Sequence, residues 1–145
     1  MNDTNLCAEA CNKLLRGEIS AIETYTQAME KFTDDPENAM LDQIRLDHEE
    51  SAAVLREHLS EMGAVPDTDS GAWGSFAQAV EATAKLLGES ATLQALIEGE
   101  QHGISEYEEA LDNSEVIEEA KASIRDTLLP SLIDHVETLE RLRVR

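Results

Sequence analysis

Aromatic and turn-forming residues are scarce in this chain of 145 residues. It contains 2 tyrosines, 2 phenylalanines and 1 tryptophan, together with 7 glycines and 3 prolines. Strands are enriched in aromatic and β-branched residues, so this balance argues against a β fold. The abundant alanine, leucine and glutamate favour helices instead. The sequence predicts an all-α protein, and its length fits a single domain spanning residues 1–145.

Cysteine is almost absent as well, which excludes a disulfide framework. The chain has 2 cysteines, Cys7 and Cys11. They are four residues apart and fall on the apolar side of the first predicted helix. Small buried side chains are the simplest interpretation of this pair, and a redox or metal-binding role is the alternative.

Positive charge is the third shortage. Lysine and arginine number 11 against 31 aspartates and glutamates, which gives a formal net charge of −20. Such a surface repels nucleic acid and anionic membranes, so neither is an expected partner. An acidic surface that keeps the protein soluble is one interpretation, and attraction of cations is the other.

Long apolar runs are also missing. No window of 18 apolar residues occurs, and the first residues do not combine a basic segment with an apolar run, as a secretion signal would. We therefore expect a cytoplasmic protein.

Apolar residues instead recur at spacings of three and four, as in amphipathic helices. The first predicted helix begins at Asp3 or Thr4 and ends at Phe32. A turn containing Asp34 or Asp35 as a helix cap leads into a second helix that ends at Gly63. These two helices form the first predicted hairpin, over about residues 3–63.

A linker rich in glycine, proline and aspartate follows, with a short helix that ends near Gly88. This crossover covers about residues 64–89. The third long helix is expected to start after Ser90 as its N-cap, and the turn at residues 112–115 leads into the last helix, which Pro130 is expected to kink. The second hairpin covers about residues 90–143.

The two hairpins are related in sequence. Residues 14–29 and 96–111, at an offset of 82, are identical at six of sixteen positions. The identical pairs are Leu14/Leu96, Gly17/Gly99, Glu18/Glu100, Ile22/Ile104, Tyr25/Tyr107 and Ala28/Ala110. The helices that follow match more weakly at an offset of 87, where Asp47-His48 aligns with Asp134-His135. The chain is predicted to be an internal repeat of two helical hairpins.

Four ionisable residues interrupt the apolar faces, one on each long helix: Glu18, His48, Glu100 and His135. In a four-helix bundle such residues converge at the centre, where bundle proteins build metal sites. Carboxylate and imidazole suit iron, manganese or zinc. Asp47 and Asp134 are the predicted supporting residues around these four ligands, together with Tyr25 and Tyr107, for which plain packing in the apolar core is the alternative.

Helix register decides whether the four residues meet. The midpoint between Glu18 and His48 is residue 33, at the predicted turn, so these two should face each other. For Glu100 and His135 the midpoint lies between 117 and 118, whereas the turn chemistry lies at 112–114. That mismatch would separate the pair by roughly 13 Å along a regular helix, unless the five additional residues are absorbed in the connection.

The segments "RGEISAIETYTQAM", "GAWGSFAQAVEATAKLLGESATLQALIEGEQHGISEYEEAL" and "LLPSLIDHVETLERLR" resemble the bacterial domain of unknown function 2383 family, within the ferritin-like group. The likeness covers roughly Cys11 to Leu142. It implies a ferritin-like four-helix bundle with a long crossover and a metal site at the four ligand positions. The Glu-x-x-His motif of di-iron bundles is missing, because Arg45 and Leu132 stand three residues before the two histidines.

Two functions follow from these patterns. The first is a ferritin-like protein that binds a transition metal, iron before zinc or manganese, with oxidative metal chemistry. The second is a metal-free structural or interaction protein whose buried polar layer fixes helix register. No nucleophile motif or phosphate-binding loop points to a catalytic residue, so enzyme activity stays open. A homodimer is the default oligomer.

Overall fold

The computed structural model describes residues 3–33, 35–71 and 74–144, and every regular element in them is helical. The bounds are α1, Asp3–Ala28; α2, Asp35–Glu61; α3, Gly74–Leu87; α4, Glu89–Asp112; α5, Glu118–Ser123; a π-helical turn, Ile124–Leu128; and α6, Leu129–Arg143. Helices α1 and α2 form one antiparallel hairpin, α4 and the α5–α6 arm form the other, and α3 lies in the crossover. The predicted all-α four-helix bundle is confirmed.

The core consists of two apolar clusters with a polar layer between them. Cys7, Cys11, Leu55 and Leu128 belong to one cluster. Tyr25, Leu41, Leu96 and Leu139 belong to the other. Between these levels of the bundle lie the four interrupting residues, Glu18, His48, Glu100 and His135, all buried. The helical spacing of apolar residues in the sequence therefore predicted both the apolar core and the four polar residues that interrupt it.

The first hairpin turns earlier than expected. Helix α1 ends at Ala28 rather than at Phe32, because the amides of Glu30 and Lys31 bond to carbonyls three residues back and tighten the last turn. The side-chain amide of Asn38, in the first turns of α2, donates to the carbonyls of Met29 and Phe32 at 3.0 and 2.7 Å. Asn38 thus satisfies carbonyls that the end of α1 leaves free. Of the two proposed caps for α2, Asp34 lies outside the described residues.

The crossover leaves α2 through Gly63, as predicted. Gly63 has a φ of 75°, and the amide of Ala64 bonds to the carbonyl of Leu59. This is the left-handed helix ending for which glycine has no steric penalty. The chain then crosses the bundle and is attached to α1, where Asn12 accepts a hydrogen bond from the amide of Asp67 and Arg16 forms an ion pair with its carboxylate.

Helix α3 runs directly into α4 across Gly88, whose φ is 90°. The expectation that Ser90 caps α4 is wrong, because α4 begins at Glu89 and Gly88 occupies the cap position without a side-chain cap bond. A single residue with positive φ is enough to reverse the chain here, so Ser90 falls inside the first turn. On α3, Leu86 and Leu87 are exposed rather than part of the apolar face.

The second hairpin is longer on both arms. Twelve residues separate Glu100 from the end of α4 at Asp112, and seventeen separate Glu118 from His135. The turn lies at 113–117, so the last helix starts beyond the predicted cap at 112–115. Helix α5 and the π turn carry the extra residues, since the i to i+5 bonding of a π turn holds more residues per turn than an α-helix. The five additional residues are thus absorbed, and His135 reaches the level of Glu100.

Pro130 lies just after the π turn, within the first turn of α6. Proline donates no backbone hydrogen bond, so a regular helix would leave an acceptor unpaired at this point. The amide of Leu129 bonds instead to the carbonyl of Ile124, five residues back. The distortion that Pro130 was expected to cause takes the form of this wider turn.

No described helix combines the length and apolarity needed to cross a membrane.

Asn38→Ala should lower the free energy of unfolding by about 1–2 kcal/mol, because it removes two hydrogen bonds to partly buried carbonyls. Urea unfolding followed by circular dichroism measures the change. Glu50→Ala, an exposed position on the same helix, is the control and should stay within about 0.5 kcal/mol of the parent. Equal stabilities for the two variants would contradict the role given to Asn38.

Candidate metal centre

The polar layer takes one residue from each of the four long helical arms. Glu18 comes from α1, His48 from α2, Glu100 from α4 and His135 from α6. Each is 3–4% exposed. Isolated charges at this depth would cost several kcal/mol each, so every one of these groups needs a partner.

His48 joins the two hairpins. Its Nδ1 donates to Glu18 Oε1 at 2.6 Å, and its Nε2 donates to Glu100 Oε2 at 2.8 Å. An ionised carboxylate only accepts hydrogen bonds, so with both glutamates ionised each ring nitrogen of His48 donates and the ring is an imidazolium. The carboxylates of Glu18 and Glu100, from different hairpins, thereby bind to the same imidazolium ring.

The tyrosines exchange partners between the hairpins. Tyr25 on α1 donates to Glu100 Oε2 at 2.6 Å, and Tyr107 on α4 donates to Glu18 Oε2 at 2.5 Å. The residue numbers of each bonded pair add to 125, as expected for antiparallel neighbours in register. Each tyrosine lies seven residues beyond the glutamate of its own helix, which places its hydroxyl at the level of the glutamate of the other.

His135 connects the layer to the surface between α2 and α6. Its Nδ1 lies 3.1 Å from Glu100 Oε1, and its Nε2 lies 2.9 Å from Asp47 Oδ2. The side chain of Asp47 is 34% exposed, whereas that of His135 is 4% exposed. The rings of His48 and His135 have centroids 4.8 Å apart. Asp47 is therefore the point at which the buried network meets solvent.

Burial and charge act against each other on the ionisation of this layer. Burial alone would lower the pKa of His48, but the attraction of Glu100 and Glu18 outweighs it and raises the pKa well above its usual value. Burial would raise the pKa of Glu100, yet His48 and His135 lower it to about 2. Burial and the neighbouring carboxylates raise the pKa of both Tyr25 and Tyr107. Both phenols therefore keep their protons and donate hydrogen bonds to the carboxylates.

Three buried residues are close enough to share one ion. His48, Glu100 and His135 each offer a ligand atom, and these atoms lie within 4.8 Å of one another. Glu18 stands next to this trio, on the far side of the His48 ring. The structure thus brings together all four residues that the sequence predicted as ligands.

The predicted supporting residue Asp134 and the two remaining histidines lie apart from the layer. Asp134 is exposed on α6, although its repeat partner Asp47 bonds to His135. His58 bonds to Ser123 at the cluster that contains the cysteines, and His102 is exposed on α4.

The exchange of tyrosines between hairpins was not predicted, although the seven-residue spacing in both repeats was the signal for it.

The fold has a counterpart among solved structures. A crystal structure described as ferritin-like, diiron-carboxylate proteins from Bacillus anthracis strain Ames superposes with a TM-score of 0.76 at 20% sequence identity, over 99% of each chain. The fold is therefore that of a ferritin-like protein. Residues 7–113 match the model of the family called domain of unknown function (DUF2383), and the chain belongs to that family. No curated protein sequence matches it significantly.

The ionisation of the layer predicts how the stability of the metal-free protein depends on pH. The pKa of His48 is raised on folding, so its contribution is complete below the unfolded value of about 6.5 and is lost as pH rises through the folded value. The pKa of Glu100 falls from 4.5 to about 2, so its contribution is complete above 4.5 and is lost towards pH 2. Together these shifts give a stability maximum between about pH 4.5 and 6.5.

Urea unfolding of the metal-free protein from pH 3 to 9 measures this profile. The stability difference between the parent and His48→Gln should be largest between about pH 4.5 and 6.5 and should shrink on both sides. His58→Gln, outside the layer, is the control for general charge effects. A difference that is constant with pH would show that His48 is not charged in the folded protein.

The two tyrosine hydroxyls should differ in their contribution to stability. Among the described residues Glu18 has two partners, His48 and Tyr107, whereas Glu100 has three. Replacing either tyrosine by phenylalanine should cost about 1.5–3 kcal/mol, the range for a hydrogen bond to a charged group. Tyr107→Phe should be the more destabilising in urea unfolding, since Glu18 then keeps a single partner. The reverse order would contradict this account.

Proposed function

We propose that this protein binds a divalent transition-metal ion in its buried polar layer, with iron as the first candidate. The observation that carries the proposal is the convergence of His48, Glu100 and His135, whose ligand atoms lie within 4.8 Å of one another. One ligand comes from each of three helical arms, as in the metal sites of other bundles. The family to which the chain belongs has no assigned activity.

The donor atoms fit such an ion. Imidazole nitrogen and carboxylate oxygen bind iron, manganese and zinc, and thiolate is absent from this layer. The atoms that would surround the metal are already 2.8 and 3.1 Å apart, from Glu100 to His48 and to His135. Ligands at metal bonds of about 2.1 Å are roughly 3.0–3.4 Å apart from one another, so the most widely separated of the three ligand atoms, up to 4.8 Å apart, would have to move together on binding.

Glu18 completes the donor set in one of two ways. It can serve as the fourth ligand, or it can keep its bond to His48 Nδ1 and leave His48 Nε2 for the metal. A carboxylate that accepts from a metal-bound histidine orients the ring and raises its basicity. Asp47 is placed to do the same for His135.

A single ion fits better than a carboxylate-bridged pair. Bridging in di-iron bundles uses a glutamate three residues before each histidine. Here Arg45 and Leu132 occupy those positions, and Arg45 is turned towards Asp42 and Glu49 on the surface of α2. The structural relative is described as a diiron-carboxylate protein, and this chain lacks two of the acids such a centre requires. Bound iron would supply one-electron redox chemistry.

The second candidate is a metal-free layer that fixes helix register. Its support is the hydrogen-bond network itself. Among described buried side-chain atoms one lacks a partner, Gln27 Oε1, which lies outside the layer. The polar side-chain atoms of the layer therefore have hydrogen-bond partners without a metal. A metal that binds between His48 and Glu100 would have to displace the proton that these two residues share.

Elemental analysis separates the two candidates. The protein is purified from cells grown with iron, zinc and manganese, and metal per chain is measured by mass spectrometry. We expect about one ion per chain, most of it iron, and loss of most of that ion in His135→Gln and Glu100→Gln. Glu18→Gln should weaken binding about 10–100-fold, as removal of an outer-sphere carboxylate does.

His58→Gln is the matched control, because it removes a histidine that lies outside the layer. It should keep the metal content of the parent. Parent protein without stoichiometric metal would favour the metal-free structural role. Variants of His135 and Glu100 that retain the metal would place it outside the layer and contradict the assignment of these ligands. Zinc or manganese in place of iron under iron-replete growth would overturn the iron assignment alone.

A further inference from the structure

A cavity of about 50 Å³ lies against the polar layer, on the side where α1 and α4 face the crossover helix α3. The polar layer contributes part of its wall, namely Glu18, Tyr25, His48, Glu100 and Tyr107, and Ser20 and Thr24 on α1 are further polar residues of the lining. Apolar or small residues form much of the rest, namely Leu14, Gly17, Ala21, Phe76, Leu96, Gly99, Gly103 and Leu132. It is therefore separate from the Asp47 side, where the network reaches solvent between α2 and α6.

Glycines on α4 create part of this space. A Cβ atom on Gly99 would lie 2.8 Å from Cζ of Phe76, and one on Gly103 would lie 3.0 Å from Cδ1 of Leu132. The Phe76 ring therefore rests on bare helix backbone, and a side chain at either glycine would force its neighbour to move. The crossover helix and the polar layer thus form two walls of a half-open cavity.

The size of the cavity limits its occupant. A cavity needs about 10–15 Å³ by this measure to hold a water, so 50 Å³ takes roughly three waters or one molecule of similar bulk. A nucleotide, sugar or peptide is far too large.

The charge and bonding of the wall limit it further. Both tyrosine hydroxyls donate to the glutamates, and these carboxylates already accept from His48. Two carboxyl groups face one imidazolium, and Glu106, paired at 3.9 Å with Lys13, adds a third carboxyl group to the lining. The wall therefore offers an anion little attraction, and it leaves few hydrogen bonds for a strongly polar molecule.

We propose that this cavity is a binding site for one small uncharged molecule of two or three non-hydrogen atoms, held between Phe76 and the Glu18–Glu100 layer. The site belongs to the folded chain and does not require the metal centre proposed above. Where a metal is bound, the molecule would lie beside it.

Xenon is the probe, because it is uncharged, fits a cavity of this size and occupies apolar cavities. Methyl NMR spectra of the metal-free protein are recorded under increasing xenon pressure. Saturable shifts are expected for the methyl groups of Leu14, Leu96 and Leu132. Absence of saturable shifts there would overturn the proposal.

Ala21→Leu should abolish these shifts, because the larger side chain fills the cavity. Ala79→Leu makes the same change at an exposed position of α3 and should leave them as in the parent. If Ala21→Leu does not fold, Leu14→Phe fills the same space, with the shifts read at Leu96 and Leu132. Shifts that persist in a folded filled variant would contradict the assignment.

Sodium azide tests whether the cavity also binds an anion. Azide is an anion of three atoms, and it should leave the same methyl signals unchanged at concentrations up to tens of millimolar. Saturable azide shifts at Leu14, Leu96 and Leu132 would contradict the proposal that the cavity binds an uncharged molecule. Because every measurement uses metal-free protein, failure of the metal proposal would not alter these outcomes.

Discussion

The imidazolium of His48, held between Glu18 and Glu100, is the interaction on which the rest of the structure depends. The two carboxylates belong to different hairpins, and neither could be buried without a cation between them. The His48 bridge therefore fixes the height of α1, α2 and α4 relative to one another. The apolar clusters above and below supply the hydrophobic driving force for folding, and the polar layer decides which register they adopt.

The layer is symmetric in its tyrosines and glutamates and asymmetric in its histidines. Tyr25 and Tyr107 exchange glutamates across the bundle, as two related hairpins packed antiparallel would require. His48 touches both glutamates, whereas His135 touches Glu100 and the partly exposed Asp47. Glu100 consequently has the most partners, and it is the residue around which both histidines gather. This asymmetry supports the proposal of a single metal position rather than two equivalent positions.

Most of the architecture was predictable because helical periodicity is a local property. The apolar positions at three-and-four spacing gave the long helices, and Glu18, His48, Glu100 and His135 stood out as polar residues at core positions. Details that depend on tertiary context were not predictable. Asn38, on α2, bonds to a carbonyl just beyond the end of α1, and Gly88 rather than Ser90 precedes α4. The π turn before Pro130 brings His135 to the level of Glu100, which the spacing in the sequence left unresolved. The internal repeat did not predict every contact. Asp47 bonds to His135 in the layer, whereas the aligned residue Asp134 is exposed.

Under the proposed function, the protons of this layer occupy the place of a metal ion. Crystals grown with ferrous iron under anaerobic conditions, with anomalous diffraction collected on both sides of the iron edge, test it most directly. One anomalous peak per chain is expected within bonding distance of His48, Glu100 and His135, together with displacement of the bond between His48 and Glu100. An empty layer with His48 still bonded to both glutamates, or a peak at surface carboxylates alone, would contradict it.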